Sequence, residues 1–230
     1  MVHLWRADLA LSERALESLR AALCGEERRR AQRFRFDRHR RRFAAARGIL
    51  RDVLSRYLDA AAGELVFAYG QHGKPSLAHP AGTGLRFNLS HTGTVALIAV
   101  SRGRELGVDI ERVNPHTECM RLAERFFSPG EAAVLGRLPG AQRPAAFFEG
   151  WTRKEAYIKA IGSGLALPLR SFSVGLGPYE AARLLDVESD AQECQRWGMA
   201  DVDAGDGVKA AVVAAGRGWS LRRWQWVPGP

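Results

Sequence analysis

The chain has 230 residues, 46% of them apolar and 26% charged, an ordinary composition for a soluble globular protein with core enough for one domain or two small ones. Its 34 Lys and Arg against 25 Asp and Glu leave a net charge of +9, so an anionic partner is expected: nucleic acid, a phosphorylated small molecule or an acidic protein. Apolar runs such as 95–100 are too short to cross a bilayer, the opening MVHLWRADLALSER lacks the form of a secretory signal, and the scattered Cys24, Cys119 and Cys194 suggest neither a disulfide framework nor a zinc site.

From this a cytoplasmic protein is expected. Residues 2–6 predict a short strand. Residues 9–24 predict a helix, with Ser12 as N-cap and Gly25 as its stop. Over 40–58, Phe43, Ala46, Leu50, Val53, Leu54 and Tyr57 recur at helical spacing and predict an amphipathic helix. Its arginines at 40, 41, 42, 47 and 51 read mostly as a solvated basic face. The dense run from Arg28 to Arg42, with Phe34 and Phe36 interleaved, also suits a phosphate clamp or an RNA surface. Residues 64–69 predict a strand and 70–84 a loop, within which Gly73-Lys74-Pro75 is an extended, rigid stretch. Residues 85–89 predict a strand ending in Ser90-His91-Thr92-Gly93, and 95–101 a buried one. A lone histidine such as His91 is more often a structural hydrogen-bonder than a ligand.

The stretch GVDIERV at 107–113 is short, β-branched and alternating, so it predicts a strand with Asp109 and Glu111 on one face and Val108 and Ile110 on the other. Two carboxylates about 7 Å apart along one strand face are poor neighbours unless a cation sits between them. A helix is predicted over 118–127. Ser128-Pro129-Gly130-Glu131 then restarts one with a capping box. A long helix over 145–161 ends at Gly162 and Gly164, with Pro168 beyond. It carries Lys154, Glu155 and Lys159. The plain reading of Glu155 and Lys159 is a surface ion pair at i, i+4; the chemical one is a carboxylate holding a metal, with amines holding phosphate oxygens. Asp109, Glu111 and Glu155 together would make a half-shell for Mg²⁺. Strands are predicted at 171–176, 209–215 and 219–227, with 177–207 irregular.

The order of elements repeats, even to the openings VHLWRAD at 2–8 and VDIERVN at 108–114. We therefore expect an α+β fold of two similar lobes related by a pseudo-twofold, 1–104 and 105–230, with the metal-binding acids in the second and a ligand cleft between them. That layout predicts a monomer. Two other classes fit the same residues: a metal-dependent nucleic-acid phosphodiester enzyme, with the arginines tracking a backbone, and a basic RNA-binding module.

Taken together, Gly73-Lys74-Pro75, the run from Phe87 to Gly93, Gly107 to Glu111, Phe126-Phe127-Ser128, Trp151 to Leu165 and Leu167 to Val174 resemble the Sfp-type 4′-phosphopantetheinyl transferases, over about residues 26 to 176. The resemblance implies transfer of the phosphopantetheine arm of coenzyme A to a serine of an acidic acyl or peptidyl carrier protein, with neither nucleic acid nor membrane as partner. It implies Mg²⁺ on Asp109, Glu111 and Glu155, with water completing the shell because Ile110 stands between the strand acids. Glu155 would also act as base toward the serine. Lys154, Lys159 and His91 would hold phosphate oxygens, Lys74, Pro75 and Ser90 would lie beside adenine and ribose, and Arg30 and Arg42 near the 3′-phosphate.

Overall fold

In a computed structural model that describes residues 1–177, 180–188, 190 and 192–229, the first half runs β1 (Val2–Asp8), α1 (Glu13–Ala21), α2 (Gly25–Gln32), α3 (Asp37–Ser55), β2 (Val66–Tyr69), β3 (Pro75–His79), β4 (Leu85–Thr92) and β5 (Val95–Arg102). The second half runs β6 (Leu106–Arg112), α4 (Cys119–Phe126), α5 (Pro129–Arg137), α6 (Arg143–Ile161), β7 (Phe172–Val174), β8 (Leu184–Val187), α7 (Glu193–Arg196), β9 (Trp197–Asp201), β10 (Val208–Ala215) and β11 (Leu221–Gln225). The expected α+β architecture is present. The two larger sheets contain β1-β5-β4 and β6-β10-β9, with these pairs antiparallel, and β2-β3 and β7-β8 form two-stranded sheets beside them. Opening strand, long helix and closing hairpin thus occupy the same places in both halves, and the two longest helices, α3 and α6, have 19 residues each.

Alternation along the strands divides the core. Trp5, Ala7, Ile98 and Val100 face the helices of the first half, whereas Leu4, Leu97 and Ala99 face Val108, Ile110 and Val212 of the second sheet. Apolar burial on both faces makes β5 the central partition of the molecule. The last strand, β11, pairs in parallel with the outer edge of β1, carrying the chain back across the 104/105 division. Trp226 fastens it: the indole is buried and donates to Asp52 Oδ2 at 2.7 Å.

Several boundaries differ from the sequence reading. Gly25 opens α2 instead of merely closing α1, because Glu27 Oε2 accepts from the backbone N–H of Cys24 at 3.1 Å and starts a new helix there. Within the expected loop, residues 75–79 pair with β2. The stretch expected to be irregular, 177–207, contains β8, α7 and β9, while its positions 178, 179, 189 and 191 lie outside the described residues. The capping box at Ser128 is present as expected.

The basic face of α3 needs a correction. Arg47 and Arg51 are not solvated; they are 8% and 1% exposed and converge on buried Glu27. Arg47 Nη2 lies 2.6 Å from Glu27 Oε1, and Arg51 Nε lies 2.7 Å from Oε2. Arg51 also donates to the carbonyls of Ala62 and Leu65. Burial pushes the Glu27 carboxyl up, but the two guanidinium charges outweigh it and hold the group below the usual carboxylate range.

Removing Glu27 leaves two buried cations without a counter-charge. Glu27→Ala should cost about 3–5 kcal/mol in urea unfolding. Because the folded carboxyl lies below its unfolded value, its contribution is present above the ordinary carboxylate pKa and fades as pH falls through the lowered one. The corresponding acid-side loss of stability should be absent from the variant.

Candidate active site

The site begins with a close approach of two backbones. Strand β6 crosses α6 at Gly107, where a Cβ would overlap the carbonyl of Ala156 and the amide of Ala160. That contact brings the acidic face of β6 against the row of α6 that carries Glu155 and Lys159. The helix stops on Gly162, in the left-handed region at φ +71. There a side chain would be strained and would crowd Lys74 Cδ at 3.2 Å.

Asp109 lies at the centre and is 3% exposed. Its Oδ1 accepts from Ser90 Oγ at 2.8 Å and from Lys159 Nζ at 2.5 Å, and Lys159 also reaches Ser90 Oγ at 3.0 Å. Asp109 Oδ2 is buried and has no hydrogen-bond partner among the described residues. The surface ion pair expected between Glu155 and Lys159 is replaced by Lys159 with Asp109, on another element.

Glu111 and Glu155 are half-buried. Burial first, then the charge of Asp109, push both carboxyls above their usual range, and Glu155 adds to the effect on Glu111. Lys159 is the cation that opposes this at both. Among the described residues no three His, Cys, Asp or Glu side chains stand close enough to form a ready metal shell. The donor set nevertheless fits a hard divalent cation: three carboxylates raise or feel one another's charge, and a buried carboxylate oxygen has no donor.

Beside the acids lies a cavity of about 300 Å³, lined by Lys74, Pro75, Asn88, Leu89, Glu155, Ile158 and Lys159 among others. Lys74 Nζ is occupied by Glu105 Oε2 at 2.9 Å and the carbonyl of Ala160 at 2.7 Å, so the lysine ties its loop to the end of α6. His91 lies within range of the charges of Lys159 and Arg42. Desolvation, then the charges of Lys159 and Arg42, push its imidazole below the usual histidine pKa. Lys159 and Arg42 therefore gather positive potential around a His91 held toward its neutral form. Arg30 is exposed and lies over the Phe43 ring at 5.5 Å, next in sequence to Arg42.

Lys154 does not join this group, and its expected phosphate role is corrected. It is 0% exposed, and its ammonium lies 2.8 Å from Glu131 Oε2. It also donates to the carbonyls of Leu169 at 2.9 Å and Phe172 at 2.5 Å. A helix places residues 154 and 159 about 140° apart, since five steps of roughly 100° leave them on different faces. Lys154 is turned to the core, where Glu131 also accepts from the backbone N–H of Ser128 and Val174.

Sequence reasoning missed Gly107 as a contact point, Glu131 as a buried counter-ion, and the roles of Asn88 and Thr92. The last two had a signal. Asn88, Ser90 and Thr92 alternate along β4, so they share one face. Asn88 Oδ1 accepts from the amide of Val108 at 3.0 Å, and Thr92 Oγ1 from that of Arg112 at 3.2 Å. Three polar side chains thus hold β6 beside β4, and the middle one reaches Asp109.

Two family descriptions match the chain: "4′-phosphopantetheinyl transferase, N-terminal" over residues 8–103 and "4′-phosphopantetheinyl transferase superfamily" over residues 105–213. The chain is 42% identical over 226 residues to the 4′-phosphopantetheinyl transferase HetI of a Nostoc species, covering 98% of this chain and 92% of that one. It is 31% identical over 208 residues to the 4′-phosphopantetheinyl transferase Sfp of Bacillus subtilis, covering 90% and 89%. A Thermotoga maritima holo-[acyl-carrier-protein] synthase structure overlaps 49% of this chain and 62% of its own, with 22% identity and a TM-score of 0.39.

Two substitutions separate the structural lysine from the strained acids. Lys154→Ala should cost about 3–5 kcal/mol by leaving Glu131 buried and unpaired; a lysine serving only phosphate would leave the melting temperature in place. Glu155→Gln should raise Tm of the metal-free protein by about 2–4 °C, because it removes a destabilised charge. A carboxyl raised on folding contributes fully below its unfolded pKa and loses that contribution as pH rises through the folded value. The gain from Glu155→Gln should therefore be present at neutral pH and shrink on acidification, as followed by calorimetry.

Proposed function

This chain belongs to the 4′-phosphopantetheinyl transferase superfamily, and from that membership we propose that it moves the 4′-phosphopantetheine arm of coenzyme A to a serine hydroxyl of an acyl or peptidyl carrier protein, leaving adenosine 3′,5′-bisphosphate. The observation that carries the reading is Asp109, a buried carboxylate with one oxygen held by Lys159 and Ser90 and the other without a donor. It lies beside two further acids whose charges are costly without a cation.

Asp109, Glu111 and Glu155 would hold Mg²⁺, which when bound supplies charge neutralisation on the pyrophosphate. Lys159, His91 and Arg42 bind phosphate oxygens. His91, held toward its neutral form in the free protein by burial first and by its cationic neighbours second, gains a proton as the anion enters and then donates to it. The aliphatic stem of Lys74 and the ring of Pro75 line the cavity that receives the nucleotide. The serine oxygen attacks the phosphorus that carries pantetheine, the bond to the bridging oxygen breaks, and adenosine 3′,5′-bisphosphate leaves with that electron pair. Glu155 takes the hydroxyl proton, directly or through water. Burial and Asp109 make it a stronger base than an ordinary carboxylate, whereas metal ligation would reduce that basicity, so its two proposed tasks draw on the same charge.

The enzyme is proposed to act as a cytoplasmic monomer. Among the described residues no helix is long and apolar enough to cross a membrane.

Incubation of an apo carrier protein with the chain, Mg²⁺ and coenzyme A should add the mass of one phosphopantetheine group. Absence of that gain across acyl and peptidyl carriers would overturn the reading. Asp109→Ala should lower turnover about 100-fold or more with the fold retained, and Mg²⁺ should no longer shift its melting temperature. Lys159→Ala should weaken use of coenzyme A; unchanged kinetics would leave Lys159 as a structural partner of Asp109 alone.

A further inference from the structure

The junction of α2 and α3 carries charge that neither the fold nor the proposed chemistry uses. Nearby acids are taken by Arg40, which pairs with Asp37, and by Arg41, which pairs with Glu13. Arg29, Arg33, Arg35 and Arg38 are exposed, and none of the four has an acidic partner among the described residues. Phe36 stands among them with half its surface in water. It occupies the N-cap position of α3 and makes no side-chain cap bond, where Ser, Thr, Asp or Asn would satisfy a free amide. Neither helix capping nor the core therefore requires a phenylalanine there. Arg35 and Arg38 lie over its ring, with guanidinium carbons 5.5 and 5.1 Å from the centroid.

We propose that Phe36, Arg35 and Arg38 form the docking surface for the carrier protein, which presents an acidic helical face with an apolar side chain that packs on Phe36. The proposal rests on the phosphopantetheinyl-transfer reading and adds where on this chain the acceptor is gripped. Position supports it. From Phe36 the helix runs to Arg42, whose charge is felt at His91, a distance of about 9 Å for six residues. A protein seated on Phe36 therefore lies on the same helix as the charge proposed to hold coenzyme A phosphate. The transfer reaction brings an acidic protein to this chain, and the half-exposed ring of Phe36 between two guanidiniums matches an apolar side chain flanked by carboxylates. Exposed guanidiniums remain suited to paired hydrogen bonds with carboxylates.

The test compares the parental chain with Arg35→Glu/Arg38→Glu and with Phe36→Ala. Steady-state kinetics are measured with apo acyl carrier protein and apo peptidyl carrier protein at low and high salt. Fluorescence anisotropy follows binding of the labelled carriers and of a labelled single-stranded RNA. The double reversal should raise KM and Kd for the carrier about tenfold or more, and Phe36→Ala about threefold to tenfold. In both variants kcat, KM for coenzyme A and Tm should stay at parental values. The salt dependence of the carrier KM should flatten in the double reversal, and Arg35→Lys/Arg38→Lys should restore most of the affinity. Transfer with carrier KM and Kd unmoved by the substitutions overturns the docking surface and leaves the activity standing. Carrier binding that the substitutions weaken, without transfer by the parental chain, overturns the activity and leaves the docking surface standing. RNA bound more tightly than carrier, and lost with the same substitutions, overturns it in favour of a nucleic-acid surface.

Discussion

The site depends on one steric allowance, the absence of a side chain at Gly107. With no Cβ there, α6 rests directly on β6, with its backbone at Ala156 and Ala160 over the strand. Two residues along a strand span about 7 Å, and four along a helix about 6 Å. Asp109 and Glu111 on one element are therefore spaced like Glu155 and Lys159 on the other, and the two rows can face each other in register. The same alternation sends Val108 and Ile110 into the apolar layer shared with Leu4, Leu97 and Val212. Burial of that layer fixes which face of β6 meets the helix, because a slip of one residue would exchange the acids for the aliphatic side chains.

Buried acids elsewhere in the molecule show what sets this cluster apart. Glu27 is satisfied by the amide of Cys24 and two arginines. Glu131 is satisfied by Lys154 and the amides of Ser128 and Val174. Both have full sets of donors and act as structural centres. Asp109 has donors for one oxygen only. Residue type does not distinguish these cases. A lysine and a carboxylate form each pair, Lys154 with Glu131 and Lys159 with Asp109, yet one lysine is 0% exposed and the other 29%. Where solvent and a free acceptor remain, a ligand has something to gain.

What could be read from the sequence was what local periodicity encodes. Alternation in β6 separated the acids from the aliphatic side chains, the capping box at Ser128 located α5, and Gly162 marked the end of α6. Contacts that depend on distant partners were not legible. Arg47 and Arg51 read as a solvated face because their counter-ion, Glu27, lies on a different helix. Lys154 read as a phosphate ligand because nothing near it in sequence shows that Glu131 will be underneath. The pairing of β11 with β1 joins opposite ends of the chain. The motif around Asn88, Ser90 and Thr92 was visible, but its meaning required knowing that β6 would lie alongside.

That seam accounts for how an acid can be buried and still available. Strands β4 and β6 belong to different sheets, so the amides of Val108 and Arg112 have no partner strand on that side. Side chains replace the backbone ladder, Asn88 for Val108 and Thr92 for Arg112. A continuous sheet would bring strands to about 4.8 Å and leave no room for a hydroxyl between main chains. A side-chain bridge holds them farther apart and lets Ser90 point at Asp109. Asp109 is thus desolvated by the walls of the junction, while its second oxygen is left without a donor because no ladder or bridge fills that place. The geometry comes from the seam itself: β4 and β6 lie side by side in different sheets, and along that strip a carboxylate is buried without being satisfied.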